Sequence, residues 1–218
     1  MRNIRAVTAT ALFDGHDVSV NLFRRLLQER GVEVIHLGHN RSVDEVAKTA
    51  IEEDADAVLV SSYQGGHNEY FRYLVDLLKD NHRQHILVFG GGGGVILPAE
   101  IEALEACGVT RLYHANDGKA MGINGIADDI IERVERNIAE LDPQRVLKDL
   151  DISKLTTSDR AAIAGLISVL ENAPENDAGV RQILDELKKN DHPRPAVLGV
   201  TGTGGSGKSS IIDELVNR

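Results

Sequence analysis

A doubly wound α/β domain with a five-stranded parallel sheet is the fold that residues 4–140 predict. Three observations carry it. Strand-like and helix-like hydrophobic patterns alternate about every 25 residues, the rhythm of parallel strands joined by crossover helices. The strand candidates are short continuous apolar runs, of which Ala57-Val58-Leu59-Val60 is the clearest, as expected where both faces of a sheet are covered. Half of the Gly, His, Asp and Asn residues of this stretch gather just after these runs, at the carboxyl ends of the strands, where such sheets bind ligands.

The elements follow in order. The first strand is read over Ile4–Leu12 and the first helix over Val18–Arg30, with Leu22, Phe23, Leu26 and Leu27 at helical spacing and Gly31 ending it. Val32–Leu37 is the second strand, and Ser42 with Glu45 makes the capping box that opens the second helix. After the strand at 57–60, a third helix covers about Asn68–Lys79. His85–Phe89 is the fourth strand, Pro98 opens the fourth helix, Val109–Tyr113 is the fifth strand and Gly122–Leu141 the last helix. This is a flavodoxin-like (Rossmann-like) arrangement. Its strand-end loops are Phe13–Asp17, Gly38–Arg41, Ser61–His67, Gly90–Ile96 and His114–Lys119.

The texture changes after Pro143. Residues 143–195 carry no strand pattern and read as a helical linker. Thr156–Asp159 resembles a capping box opening an apolar helix through Leu170, Ala178–Lys189 reads as a second helix, and 191–195 as a turn. Ala196–Val200 then reads as a strand feeding a glycine-rich loop, with a helix from Ser210 to Asn217. The expected organisation is therefore a first domain over 1–142, a linker over 143–195 and the start of a second domain over 196–218.

Composition narrows the function. The net charge is −10 and aromatic residues make up 4% of the chain, with no Trp. A nucleic-acid binder needs a basic face to replace counterions, so nucleic acid is not an expected partner. The single cysteine, Cys107, leaves no internal disulfide and fits a reducing compartment. Cys107 falls on the apolar side of a helix end and reads as a small core residue. The amino terminus has no signal-peptide pattern and no run reaches membrane-spanning length. The expected location is the cytoplasm, without a membrane partner.

Two motifs carry chemistry. Gly202-Thr203-Gly204-Gly205-Ser206-Gly207-Lys208-Ser209 fits the phosphate-loop pattern G-x-x-x-x-G-K-[ST]. Backbone N–H groups of Gly204, Gly205, Ser206 and Gly207 would cradle phosphates, Lys208 would neutralise β and γ oxygens, Ser209 would bind Mg²⁺, and Ser210 follows in the helix. A phosphate loop needs a domain after it, so the chain is expected to be the front portion of a longer protein.

The second motif is Asp14-Gly15-His16-Asp17, directly after the first strand. Asp14 can accept a hydrogen bond from one ring nitrogen of His16 and leave the other for a metal. Two further strand ends support it: Ser61-Ser62-Tyr63-Gln64-Gly65-Gly66-His67, and the five glycines Gly90–Gly94, whose lack of Cβ atoms lets a flat ligand approach the backbone. His67 and His114 also lie at strand ends and can line a cofactor site, while Asn116, Asp117 and Gly118 can bond a ligand or form a turn.

Together these residues resemble the cobalamin-binding domain of base-off/His-on corrinoid enzymes. That family's pattern is D-x-H-x-x-G, then S-x-L, then G-G; Asp14, His16, Ser61 and the glycines match it. The resemblance implies a cofactor site of Asp14, His16, Asp17, Ser61, Tyr63, Gly65, Gly91, Gly92, Gly93 and His114. His16 would be the lower axial ligand of cobalt, and the cofactor's dimethylbenzimidazole tail would lie beside Ser61 and the glycines. Ser19 stands where the pattern has Gly, Tyr63 where it has Leu, and Thr10 where related mutases often have Lys.

A cobalamin domain followed by a phosphate loop is similar to the fused isobutyryl-CoA mutases, in which a cobalamin domain, a GTPase chaperone and an acyl-CoA-binding barrel share one chain. That resemblance implies adenosylcobalamin, GTP and Mg²⁺ as cofactors, an acyl-CoA substrate, interconversion of isobutyryl-CoA and n-butyryl-CoA by radical rearrangement, and a homodimer at full length. The GTPase would gate cofactor loading. No catalytic residue is expected within these 218 residues. Two other readings share parts of the pattern. A corrinoid methyl carrier would share Asp14 and His16. A receiver-like domain fused to an ATPase would need an acidic residue where Ser61 and Ser62 stand.

Overall fold

The computed structural model describes residues 3–141, 152, 155–174, 177–189 and 197–217. Strands β1 (Arg5–Ala11), β2 (Glu33–Arg41), β3 (Ala57–Ser61), β4 (Leu87–Gly91) and β5 (Arg111–Tyr113) alternate with helices α1 (Val18–Glu29), α2 (Val43–Glu52), α3 (His67–Asp80), α4 (Pro98–Cys107) and α5 (Ala115–Glu140). The strands form one parallel sheet in the order β2-β1-β3-β4-β5, the flavodoxin-like order with its switch point between β1 and β3. The predicted fold class is the one observed.

Alternate strand residues serve opposite cores, as the two-residue period of a strand requires. Val7, Ala9, Val58, Val60 and Val88 pack under α2, α3 and α4, together with Phe71 and Leu74. Ala6, Ala57, Leu59 and Phe89 face α1 and α5, meeting Leu27, Ile126, Ile130 and Val134. The sheet is thus buried on both sides, which explains the continuous apolar runs. Cys107 is half-buried rather than core.

Helix signals in the sequence act as expected at several ends. Gly31 takes φ 83° just after α1. Ser42 accepts from the Glu45 N–H at 3.2 Å while the Glu45 carboxylate accepts the Ser42 N–H at 2.9 Å. Pro98 is the first residue of α4.

Other boundaries move for identifiable reasons. β2 runs on to Arg41 because the ladder to β1 continues through shifts between Thr8 and Ala11, with Gly38 at φ 82°; Gly38–Arg41 is strand, not loop. β4 begins at Leu87 and takes in Gly90 and Gly91, which pair with Val60 and Ser61 on one side and Leu112 and Tyr113 on the other. The glycine run therefore starts inside the sheet. The last helix begins at Ala115, because His114 caps it: its Nδ1 accepts the Asn116 N–H at 3.2 Å and Asp117 accepts the His114 N–H at 2.7 Å. Gly122, at φ 69° and ψ 170°, breaks that helix into two stretches, and the second is the one its apolar spacing predicts.

Beyond Leu141, α6 (Arg160–Asn172), α7 (Ala178–Lys189) and α8 (Lys208–Val216) are helical. The Thr156 N–H and hydroxyl both donate to the Asp159 carboxylate, at 2.9 and 2.8 Å. Half of the expected capping box is thus present, and the helix starts at Arg160 instead. The strand read over 196–200 is a correction. Residues 197–200 join no ladder among the described residues, and Val197 is 92% exposed. An apolar run becomes a strand only where neighbours take its N–H and C=O groups. The turn read at 191–195 lies outside the described residues. Among the described residues no helix is long and apolar enough to cross a membrane.

Candidate functional site

The chain leaves β1 through a tight turn: Phe13, 81% exposed, takes φ 64° and donates its N–H to Asn40 Oδ1 at 2.8 Å. A bulky residue in the left-handed region is strained, and here the turn aims the next residue, Asp14, inward. Asp14 is 1% exposed. Its Oδ1 accepts the backbone N–H of His16 at 2.9 Å and lies 2.7 Å from His16 Nδ1, while Oδ2 accepts the N–H of Tyr63. Burial alone would push the Asp14 carboxyl up. The N–H groups of His16 and Tyr63 and the imidazole outweigh it and hold the carboxyl below its ordinary value.

An ionised Asp14 fixes the imidazole as the tautomer protonated on Nδ1, leaving a lone pair on Nε2. The His16 side chain is 64% exposed, so that lone pair meets whatever sits above the sheet. The Tyr63 ring flanks it, with centroids 5.5 Å apart. Because the Asp14 pKa is depressed on folding, its contribution to stability is complete above the unfolded value of 3.8 and is lost as pH falls below it. The stability difference between wild type and Asp14→Asn is therefore expected to be constant at pH 5 to 7 and to shrink toward pH 3, as read by urea titrations across that range.

Beside this pair a cavity of about 260 Å³ opens between the sheet, α1 and α5. Its floor is Leu59, Ser61, Phe89 and Gly90–Gly93, its α1 wall Ser19, Leu22 and Phe23, and its α5 wall Ile123, Ile126 and Ile130. Ser19 and Ser61 meet at its edge, their hydroxyls sharing a hydrogen bond of 3.1 Å. On the same strand face, the fully buried Thr10 hydroxyl has no hydrogen-bond partner. An apolar slot with a few hydroxyls suits a flat aromatic group carrying polar edges.

The structure gives the glycines two different reasons. A Cβ on Gly90 would lie 2.3 Å from Phe71 Cζ, and one on Gly92 would lie 2.0 Å from the Ser62 carbonyl oxygen. These two are required by the protein's own packing. Gly93 has φ 60° and underlies Tyr63, whereas Gly94 has open space.

Of the predicted residues, Asp14, His16 and Tyr63 form the imidazole cluster, and Ser61, Tyr63, Gly91, Gly92, Gly93 and His114 line the slot. Asp17 stands at the start of α1 without a capping hydrogen bond from its side chain. Gly65, at φ 84°, turns the loop before α3 with nothing near its Cβ position. Neither lines the slot. His67 does not line it either: it is buried beside Glu100 in α4. Gly118 does line it, from the first turn of α5. The α1 and α5 walls were absent from the sequence reading, because Leu22 and Phe23 carry the same signal as any core-facing helix residue.

At the other end of the chain Lys208 Nζ donates to the carbonyls of Gly202 and Thr203 at 2.8 and 2.6 Å. Gly205 and Gly207 take φ 74° and 78°, and α8 starts directly at Lys208. This is a glycine-rich loop closing on a helix N-terminus, a form suited to phosphate.

Among the described residues no group of three or more His, Cys, Asp or Glu could hold a metal ion. The fold and site define an α/β cofactor-binding domain with one exposed imidazole beside an apolar slot. The chain belongs to the B12-binding domain family, whose pattern matches residues 4–118. It is 48% identical over 215 residues to a fused isobutyryl-CoA mutase of Cupriavidus metallidurans, covering 99% of this chain and 19% of that protein. It is 35% identical over 97 residues to a 2-hydroxyisobutanoyl-CoA mutase small subunit of Aquincola tertiaricarbonis, covering 44% of this chain and 69% of the subunit. A cobalamin-binding protein from Desulfitobacterium hafniense shares the fold, with TM-score 0.50 and 23% identity over 61% of this chain and 59% of that one. The chain spans about a fifth of the length of the curated fused mutases it matches.

Proposed function

We propose that this chain holds adenosylcobalamin, base-off and His-on, for a fused acyl-CoA mutase. The observation that carries the reading is the Asp14-held imidazole of His16, its Nε2 exposed beside an apolar slot. The residues present suit the cofactor: a nitrogen donor for a metal whose other ligands the cofactor would bring, and an apolar slot with the Ser19 and Ser61 hydroxyls for a displaced dimethylbenzimidazole tail. His16 Nε2 would be the protein nitrogen that holds cobalt, and Asp14 would orient and tune it. When bound, adenosylcobalamin supplies a cobalt–carbon bond whose homolysis starts radical chemistry. This chain's own residues bind the cofactor and set its orientation.

In the same reading residues 1–142 are the cobalamin domain, 143–195 a linker and 196–218 the start of a GTPase. There the backbone of Gly204–Gly207 and Lys208 would hold phosphates, and Ser209 would hold Mg²⁺, with GTP hydrolysis gating cofactor loading. Similarity to the fused isobutyryl-CoA mutases along 99% of the chain supports an acyl-CoA substrate of that kind; isobutyryl-CoA and n-butyryl-CoA would be the pair interconverted, and the full-length protein would be a cytoplasmic homodimer.

The slot is tested by comparing cobalamin with cobinamide, which lacks the tail. Wild type is expected to bind cobalamin at least about tenfold more tightly, since burial of an aromatic group stabilises by a few kcal/mol. Ser19→Phe, which fills the slot from α1, is expected to erase that preference and leave cobinamide binding unchanged in a fluorescence-quenching titration. Equal affinity of the wild type for both ligands would contradict the tail assignment.

A further inference from the structure

One polar cluster, with His67 buried and Asn68 and Glu100 half-buried, lies outside the slot and is used by nothing described so far. Glu100, three residues into α4, collects three groups on one carboxylate. Oε2 accepts the Leu97 N–H at 2.8 Å, Oε1 accepts the Asn68 side-chain amide at 2.9 Å, and His67 Nε2 lies 3.0 Å from Oε2. His67 is 3% exposed, and neither of its ring nitrogens has a hydrogen-bond partner, so Nε2 meets Glu100 by close approach alone. The Leu97 N–H, then Asn68 and His67, hold the Glu100 carboxyl below its ordinary range, so it is ionised at neutral pH.

The position of this carboxylate in the chain matters. Leu97 ends the loop that carries Gly92 and Gly93. His67 and Asn68 end the loop that carries Tyr63. These loops meet again at the site: the Ser62 N–H donates to the Gly91 carbonyl at 2.9 Å, and a Cβ on Gly93 would lie 3.0 Å from Tyr63 Cε1. The Tyr63 N–H in turn holds Asp14 Oδ2, and Asp14 Oδ1 holds His16. One loop is therefore pinned at its start by Asp14 and at its end by Glu100.

We propose that Glu100, with Asn68 and His67, is a positioning residue for His16, acting through the Tyr63 loop and Asp14. The carboxylate clamps the two loops so that the Tyr63 N–H stays aimed at Asp14, and this keeps the His16 proton on Nδ1. The effect on cobalamin rests on the function proposed above; the effect on the imidazole does not.

The test uses the 218-residue chain, with ¹⁵N-histidine labelling and long-range nitrogen–proton correlation at pH 7, alongside cobalamin titrations. Glu100→Ala is expected to convert the single Nδ1–H tautomer of His16 into an exchanging mixture, and to weaken cobalamin about tenfold, the low end for outer ligand-supporting groups. Glu45→Ala removes a helix cap of the same kind on α2 and is expected to change neither. Glu100→Gln keeps the length and one acceptor oxygen, so it is expected to give a smaller shift, and it replaces the Ala variant if that fails to fold. An unchanged tautomer, a cobalamin affinity within twofold of wild type, or an equal change in Glu45→Ala overturns the proposal. If wild type itself does not bind cobalamin, the functional reading fails and the tautomer alone decides for or against the clamp.

Discussion

Replacing His16 with Ala is expected to weaken reduced cobalamin by about 100-fold or more, beyond the range typical of outer-shell changes, while leaving the chain folded. The asymmetry follows from where the side chain sits. Its ring is 64% exposed, so truncation empties no core. What remains buried is Asp14, which keeps the N–H groups of His16 and Tyr63 as donors. Losing its third partner costs about 1–2 kcal/mol, the range for a hydrogen bond to a charged group lowered by solvent screening of the exposed imidazole. In a domain of this size that lowers Tm by about 2–8 °C. The same truncation removes the nitrogen that the proposed function assigns to cobalt. Thermal melts and cobalamin titrations of the two proteins separate these effects. A folded His16→Ala chain that binds cobalamin as wild type does would contradict the ligand assignment.

The largest stability effect is expected at Gly92. Its φ suits any residue, so the barrier is packing alone. A Cβ there would lie 2.0 Å from the Ser62 carbonyl oxygen and 3.0 Å from Ile96 Cγ1. The oxygen belongs to backbone just after β3, in the residue whose N–H donates to the Gly91 carbonyl at 2.9 Å, so a shift there disturbs the link between the two loops. Gly92→Ala is expected to cost about 3 kcal/mol, the upper end for overpacking, and to lower Tm by about 6–12 °C. Gly94, two residues on, has nothing within 4 Å of its Cβ position and no left-handed φ. Gly94→Ala is expected to change stability by no more than about 0.5 kcal/mol. Equal melting temperatures for the two variants would show that the run is kept for flexibility, not for close packing.

The glycine run shows how far the sequence could be read. Five consecutive glycines at a strand end mark a place where backbone must be approached closely. They do not say by what. For Gly90 and Gly92 the neighbours are Phe71 and the Ser62 carbonyl, contacts between segments about 20–30 residues apart that no local pattern encodes. The sheet itself was legible because two buried faces leave unbroken apolar runs, and the Asp14–His16 pair because its spacing is local. The slot walls were not, since an apolar residue facing a cavity and one facing a core look alike. The pairing of His67 with Glu100 was not legible for a related reason: the two meet only once α3 and α4 lie side by side. The segment at 197–200 marks the opposite failure, an apolar run with strand character and no strand beside it among the described residues.

Electron paramagnetic resonance of Co(II) cobalamin bound to this chain, labelled with ¹⁵N-histidine, tests the central claim most directly. Coordination by His16 predicts superhyperfine splitting from a single ¹⁵N nucleus, a doublet on each cobalt line, that disappears in His16→Ala. A ¹⁴N triplet in the labelled protein would mean that the dimethylbenzimidazole tail still holds the cobalt. That result would contradict both the histidine ligand and the slot.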